Sequence, residues 1–218
     1  MLLHIGDKHI SSWSLRPWIL LKMADIPFTE EVHAFLSDRA AQRRIWREFS
    51  PTAQVPVLHD SDLVIWDSLA ICLYLGERYP QIWPDDRAAR AWSYAVSAEM
   101  HAGFPALRTQ CNFTVRPAAP ITAPDAALTA ELERLNALWT EGLTRFGGGY
   151  LAGGRFTVAD AFYAPVVLRL HHYVLVGHLS SAAQDYLARI LALPALPRAK
   201  EPSPAGSNRW PGRHFTCL

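Results

Sequence analysis

Along the first 80 residues the hydrophobic positions come in short runs separated by amphipathic stretches. Leu2-Leu3-His4-Ile5 reads as a strand, and the apolar stretch from about Ser14 to Ala24 as a helix. Pro17 fits the first turn of a helix that begins near Leu15, where its missing N–H has no intrahelical partner. Thr29 to His33 predicts a second strand, and Arg39 to Phe49 a polar helix capped by Ser37 or Asp38. Val55-Pro56-Val57-Leu58-His59 and Leu63-Val64-Ile65-Trp66 predict a hairpin around Asp60-Ser61-Asp62. Asp67 or Ser68 caps an apolar helix, Leu69 to Tyr79. The order βαβαββα implies a small mixed sheet with helices on its faces.

Beyond the proline-marked stretch Tyr79 to Asp86 the strand pattern stops. A long helix is expected over Arg87 to Asn112, bent at Phe104-Pro105. Thr129 to Phe146 repeats apolar residues at Leu132, Leu135, Leu138, Trp139 and Leu143, and Gly147-Gly148-Gly149 ends it. Phe156 to Leu170 and Ala182 to Leu193 supply two further helices. An α/β part followed by an all-α part predicts two domains with a binding cleft between them. Residues 198–218, rich in proline and glycine, read as an irregular tail, with Trp210 and Phe215 as anchors if it folds over the cleft.

The 218 residues carry a formal net charge of +1 with no basic run, which excludes an electrostatic case for nucleic acid or anionic membrane. The N-terminus is too quickly polar for a signal peptide, and no apolar stretch approaches the roughly 20 residues of a membrane span. Cys72, Cys111 and Cys217 are far apart without a C-x-x-C pair, so no metal centre or dithiol is expected and the thiols suit a reducing, cytoplasmic location. Cys72 lies in an apolar helical run and reads as inert core.

The chemistry concentrates in Ser11-Ser12-Trp13-Ser14-Leu15-Arg16-Pro17-Trp18, where the first strand turns into the first helix. Unpaired N–H groups at a helix start favour an anion, and a thiolate is one. Ser14 reads as the helix cap.

Three segments carry a family resemblance. The serine cluster is one. Ser50-Pro51-Thr52-Ala53-Gln54-Val55-Pro56-Val57-Leu58 is similar to an N-P-x-x-x-V-P-x-L segment, and Trp66-Asp67-Ser68-Leu69-Ala70-Ile71 to an E/D-S-x-A-I segment. Phe156-Thr157-Val158-Ala159-Asp160 adds a capping segment in which Thr and Asp bond each other's backbone N–H groups. Together, in this order, they resemble the glutathione S-transferase family, serine-type and theta- or zeta-like. The resemblance implies a thioredoxin-like glutathione-binding domain over 1–80, a linker over 81–87 and an all-α domain over 88–197 that contributes the second-substrate pocket.

It further implies a cis Val55-Pro56 bond, with the Val55 backbone pairing the cysteinyl part of glutathione. Gln54 adds an amide contact. Ser68 and nearby N–H groups would hold the γ-glutamyl carboxylate, Asp67 the ammonium, and Arg43 or Arg44 the glycyl carboxylate, unless these two arginines only solvate a helix face. Ser11 aligns with the catalytic hydroxyl and Ser12 is the alternative; Arg16 adds positive potential or braces the domain interface. Trp13 with His101, Phe104 and Arg108 forms the pocket for the second substrate, although such a helical stripe equally describes packing core. Glutathione is implied as co-substrate, without a metal, in a detoxifying homodimer. Two rival functions are a zeta-type isomerase, whose S-S-C-S motif differs from this chain at Trp13, and a non-catalytic binding protein.

Overall fold

A computed structural model describes residues 1–198. The predicted irregular tail, with Trp210, Phe215 and Cys217, lies outside the described residues apart from Arg198. Four strands, β1 (Leu2–Gly6), β2 (Thr29–His33), β3 (Val57–Asp60) and β4 (Leu63–Trp66), form one sheet in the order β2-β1-β3-β4. β1 runs parallel to β2 and antiparallel to β3, which pairs antiparallel with β4. Helices α1 (Ser12–Met23), α2 (Arg39–Trp46) and α3 (Ser68–Arg78) complete the predicted βαβαββα order. Strand alternation turns Leu3, Ile5 and Leu58 into the core with α1 and α3, while His4, His33 and His59 face Trp46 and Phe49 on the other side.

A 3-10 turn at Pro80–Ile82 leads to the helical part: α4 (Arg87–Ala102), α5 (Pro105–Gln110), α6 (Ala126–Phe146), α7 (Val158–His172) and α8 (Ser181–Leu191). α7 is buried from Val158 through Leu170 and packs against α1, α4 and α8. A helix apolar all round belongs in an interior, and this one joins the two parts of the chain. Thr157 and Asp160 fix its start. The Asp160 carboxylate accepts from the Thr157 N–H (2.8 Å), the Thr157 hydroxyl (3.1 Å) and the Leu151 N–H (2.9 Å). Arg155, just before α7, donates to the carbonyls of Gln81 and Trp83 and pairs with Asp85 at 2.7 Å.

Three expectations are corrected. The first helix begins at Ser12, and its cap is Ser11 rather than Ser14. The Ser14 oxygen is occupied elsewhere: it accepts from the Gly6 N–H (3.0 Å) and the Ser11 hydroxyl (2.9 Å), which ties the helix start to the end of β1. Pro17 consequently sits inside α1, so the Trp13 carbonyl lacks the i+4 N–H it would meet in a regular helix. The expected helix over Arg87 to Asn112 is broken, not bent. Phe104 is left-handed (φ 61°) and Pro105 opens α5, whose first N–H groups, at Ala106 and Leu107, are bonded by the Glu131 carboxylate from α6.

His4 gives the sheet an acid-sensitive point. Burial, with His59 and His33 beside it and Glu31 opposing them, lowers its pKa from 6.5 to about 4. An unfolded chain protonates this imidazole near pH 6.5 and the folded one near pH 4, so the folded state binds fewer protons in that window. Stability is therefore full above pH 6.5 and falls as the pH drops towards 4, by about 2–3 kcal/mol. Urea unfolding at pH 7 and 4.5 should show a larger loss for the wild type than for His4→Gln; equal losses in both would reject the assignment.

Candidate functional site

The register of the sheet gathers the motif segments at one end. Val57 lies opposite His4 on β1 and opposite Trp66 on β4. Val55-Pro56, Asp67 and the turn from β1 into α1 therefore leave the sheet side by side. The Val55-Pro56 bond is cis. The preceding loop is closed by Ser50, whose hydroxyl donates to the Gln54 carbonyl (2.8 Å) and accepts the Gln54 N–H (3.1 Å). The Gln54 side chain is left exposed and Val55 half-buried.

At the start of α1 the three serines divide their work. Ser11 Oγ accepts the Ser14 N–H (3.3 Å) and donates to Ser14 Oγ. The Ser12 hydroxyl, in the first helical residue, has no partner among the described residues.

Asp67 caps α3 from a backbone with φ 77° and ψ 140°. That conformation is strained for a residue with a Cβ and marks a position held by its surroundings. Asp67 Oδ1 accepts from the Leu69 N–H at 2.7 Å, leaving Oδ2 to face His101 Nε2 at 3.5 Å. Burial lowers the His101 pKa; Asp67 opposes this, and the nearby Arg16 and Arg108 add to it. Ser68, fully buried, accepts a hydrogen bond from Arg16 Nη1 at 3.2 Å.

Arg16 is the residue whose place the sequence least discloses. Its guanidinium lies 4.3 Å from the Trp13 ring centroid and 4.7 Å from that of Phe162 on α7. Burial, with Arg108 and Arg169 near, pulls its pKa down to about 9. The Trp13 ring also meets the edge of His101 (5.0 Å) and the Arg108 guanidinium (5.2 Å). Trp13, Arg16, Asp67, Ser68, His101 and Arg108 thus form one connected group. Two expected pocket residues serve other ends. Phe104, 4% exposed, belongs to the core, and Arg108 bonds the carbonyls of Met100, His101 and Gly103, closing the end of α4. Arg43 and Arg44 stand exposed on α2.

Among the described residues, one group offers metal-type ligands: His4, Glu31 and His33. His4 Nδ1 and His33 Nε2 are 3.0 Å apart with ring centroids 5.2 Å apart, so the nitrogens meet head-on. That suits an N–H···N bond better than two lone pairs converging on an ion. Cys72 and Cys111 are free and buried. Burial pushes the Cys111 thiol up to about 11 and Cys72 higher still, which leaves both unreactive.

With this geometry in place, the comparisons with known proteins agree. Residues 10–78 match the family model "Glutathione S-transferase, N-terminal domain" and residues 120–201 "Glutathione S-transferase, C-terminal domain". The chain belongs to the glutathione S-transferase family. It is 27% identical to glutathione S-transferase F14 of Arabidopsis thaliana over 72% of this chain and 61% of the relative. It is 26% identical to a probable maleylacetoacetate isomerase of Vibrio cholerae, over 87% of this chain and 91% of that one. The chain thus spans about three fifths of the plant relative and nearly all of the bacterial one. In fold it is similar to the Tau class glutathione S-transferase of mango, Mangifera indica (TM-score 0.69, 18% identity, 89% and 90% of the two chains covered). It is likewise similar to the theta class enzyme of Xanthomonas axonopodis with glutathione bound (TM-score 0.62, 23% identity, 89% and 94% covered).

Proposed function

We propose that this chain is a glutathione transferase that binds glutathione at the strand ends and activates its thiol. The observation that carries the reading is the Ser12 hydroxyl at the start of α1, unpartnered among the described residues, beside the cis Val55-Pro56 loop and the Asp67-Ser68 turn. Glutathione would lie along that edge. Val55 offers backbone groups to the cysteinyl part, Gln54 its exposed amide, and Asp67-Ser68 an acid and donors for the zwitterionic γ-glutamyl end. Ser11, its proton spent on Ser14, shapes the turn, and Ser12 donates to the sulfur.

A free thiol has a pKa of about 8.5, so only a few per cent is thiolate at neutral pH. A hydroxyl donor together with the helix start favours the charged form. The thiol proton goes to solvent. The sulfur then attacks an electrophilic carbon, and the C–S bond forms as the leaving group departs with its electron pair. The second substrate would enter beside Trp13 and His101.

The domain division at 81–87, the cytoplasmic location and a role in detoxification belong to the same proposal. So does a homodimer, for which Leu63, Val64 and Trp66 on β4, Leu73 on α3 and Tyr94 on α4 are exposed. Trp92, by contrast, packs on Phe146 and donates to Glu141. No helix of the described residues is long and apolar enough to cross a membrane.

Ultraviolet titration of the bound thiolate tests the proposal. Its pKa should lie about two units below that of free glutathione, whereas an unshifted thiol would leave a binding protein without transferase chemistry. A second reading, isomerisation of a cis-dienoate with glutathione as a recycled cofactor, is favoured by the isomerase-named relative aligned over most of its length. Turnover of such a substrate without consumption of glutathione separates the two.

A further inference from the structure

Arg16 is a buried charge without a counter-charge. It is 1% exposed, its Nε has no acceptor, and no carboxylate is within ion-pairing distance of it among the described residues. Among the described residues its one hydrogen bond goes to Ser68 Oγ. The rings of Trp13 and Phe162 attract the guanidinium, but ring faces accept no conventional hydrogen bond from its five N–H donors. The charged groups near it are Arg108 and Arg169, which share its sign, and Asp67, which is already turned to His101 and the start of α3. A guanidinium taken out of water in such company is costly until an anion arrives.

The geometry says where the anion would sit. Because Ser68 Oγ accepts from Arg16, its own O–H must point elsewhere, and its N–H has no partner among the described residues. Both donors belong to the first residue of α3, at the positive end of an eleven-residue helix. Two donors on one residue match in number the two oxygens of a carboxylate, with the guanidinium bonded to the hydroxyl polarising it.

We propose that Arg16 is the buried counter-charge of the γ-glutamyl carboxylate of glutathione and acts through Ser68 as a positioning residue. The inference rests on reading this edge as the glutathione site. It also gives the helical part a share in glutathione affinity, since Phe162 on α7 holds Arg16 in place.

The test is calorimetric binding of glutathione and of 4-aminobutyryl-cysteinyl-glycine, which keeps the amine, thiol and glycyl groups but lacks that carboxylate. The wild type should prefer glutathione by roughly 10- to 100-fold, the range of a charge-assisted bond. In Arg16→Gln the preference should collapse through weaker glutathione binding, with affinity for the analogue unchanged, and Arg16→Lys should restore part of it. If Arg16→Gln does not fold, Arg16→Lys carries the test, a preference equal to that of the wild type overturning the role; Ser68→Ala should lose the preference too, and a Ser68→Ala protein that still discriminates overturns it as well. Folded variants that still discriminate like the wild type, or a wild type that binds glutathione without discriminating, overturn the role of Arg16 and leave the glutathione site standing. A wild type that binds neither ligand removes the glutathione reading and this inference with it.

Discussion

Ser12→Ala should lower kcat/KM for conjugation at pH 7 roughly 20- to 100-fold while leaving the unfolding midpoint close to that of the wild type. The argument is local. Ser12 Oγ has no partner within the protein among the described residues, so its removal breaks no hydrogen bond and leaves no buried group exposed. What is lost is a donor to sulfur, and a thiol returned to its ordinary pKa is mostly protonated at neutral pH. The pH–rate profile should move with it, the midpoint of the acidic limb shifting up towards the free-thiol value. Ser11→Ala should show the opposite pattern. Ser11 caps α1, and its loss should cost about 1 kcal/mol of stability with a smaller effect on rate. If Ser11→Ala abolishes turnover while Ser12→Ala leaves it intact, the two roles are exchanged and the assignment to Ser12 fails.

Asp160→Ala should be the most destabilising single change at the start of α7, by about 3–5 kcal/mol. The carboxylate is fully buried and serves three donors, and alanine strands the Leu151 N–H, the Thr157 N–H and the Thr157 hydroxyl in an apolar interior. Each stranded group costs about 1–3 kcal/mol, against a total of about 5–15 kcal/mol for a typical domain. Asp160→Asn, which keeps one carbonyl oxygen but turns an N–H towards donors, should fall between. Urea unfolding of the three proteins measures the order. An alanine variant within 1 kcal/mol of the wild type would show that water replaces the carboxylate and that the network does not hold the helix.

The parts of this molecule legible in the sequence are those whose causes are local. Asp38 and Asp67 at the starts of α2 and α3, and Thr157 with Asp160 at α7, act on N–H groups two or three residues away, so a short pattern suffices to see them. The order of elements along the chain is likewise carried by hydrophobic runs. Misreadings arise where a distant partner decides. The local pattern reads Ser14 as a cap, whereas Gly6, eight residues earlier, claims its oxygen. The separate start of α5 is completed by Glu131, some 25 residues downstream, whose carboxylate accepts from its first N–H groups. The site follows the same rule: its residue types can be read, but the Arg16–Ser68 bond joins positions 52 apart, and Phe162 lies further still. Arg108 illustrates the converse, since a cation on a pocket-facing stripe turns out to close the end of the preceding helix, α4.

Arg155 fastens the segment between the two parts of the chain to the loop before α7, and α7 reaches on to the stacked Arg16. The helical part therefore grips the sheet part through α7 packed on α1, and grips the connecting segment through Arg155. A swing of one part on the other would disturb the buried packing of α7 on α1 and the seat of Arg16 between Trp13 and Phe162. At the proposed glutathione site, ligand traffic is then expected to run through small rearrangements at the rim, around Gln54, Trp13 and His101, with residence times set by side chains and loops rather than by whole domains.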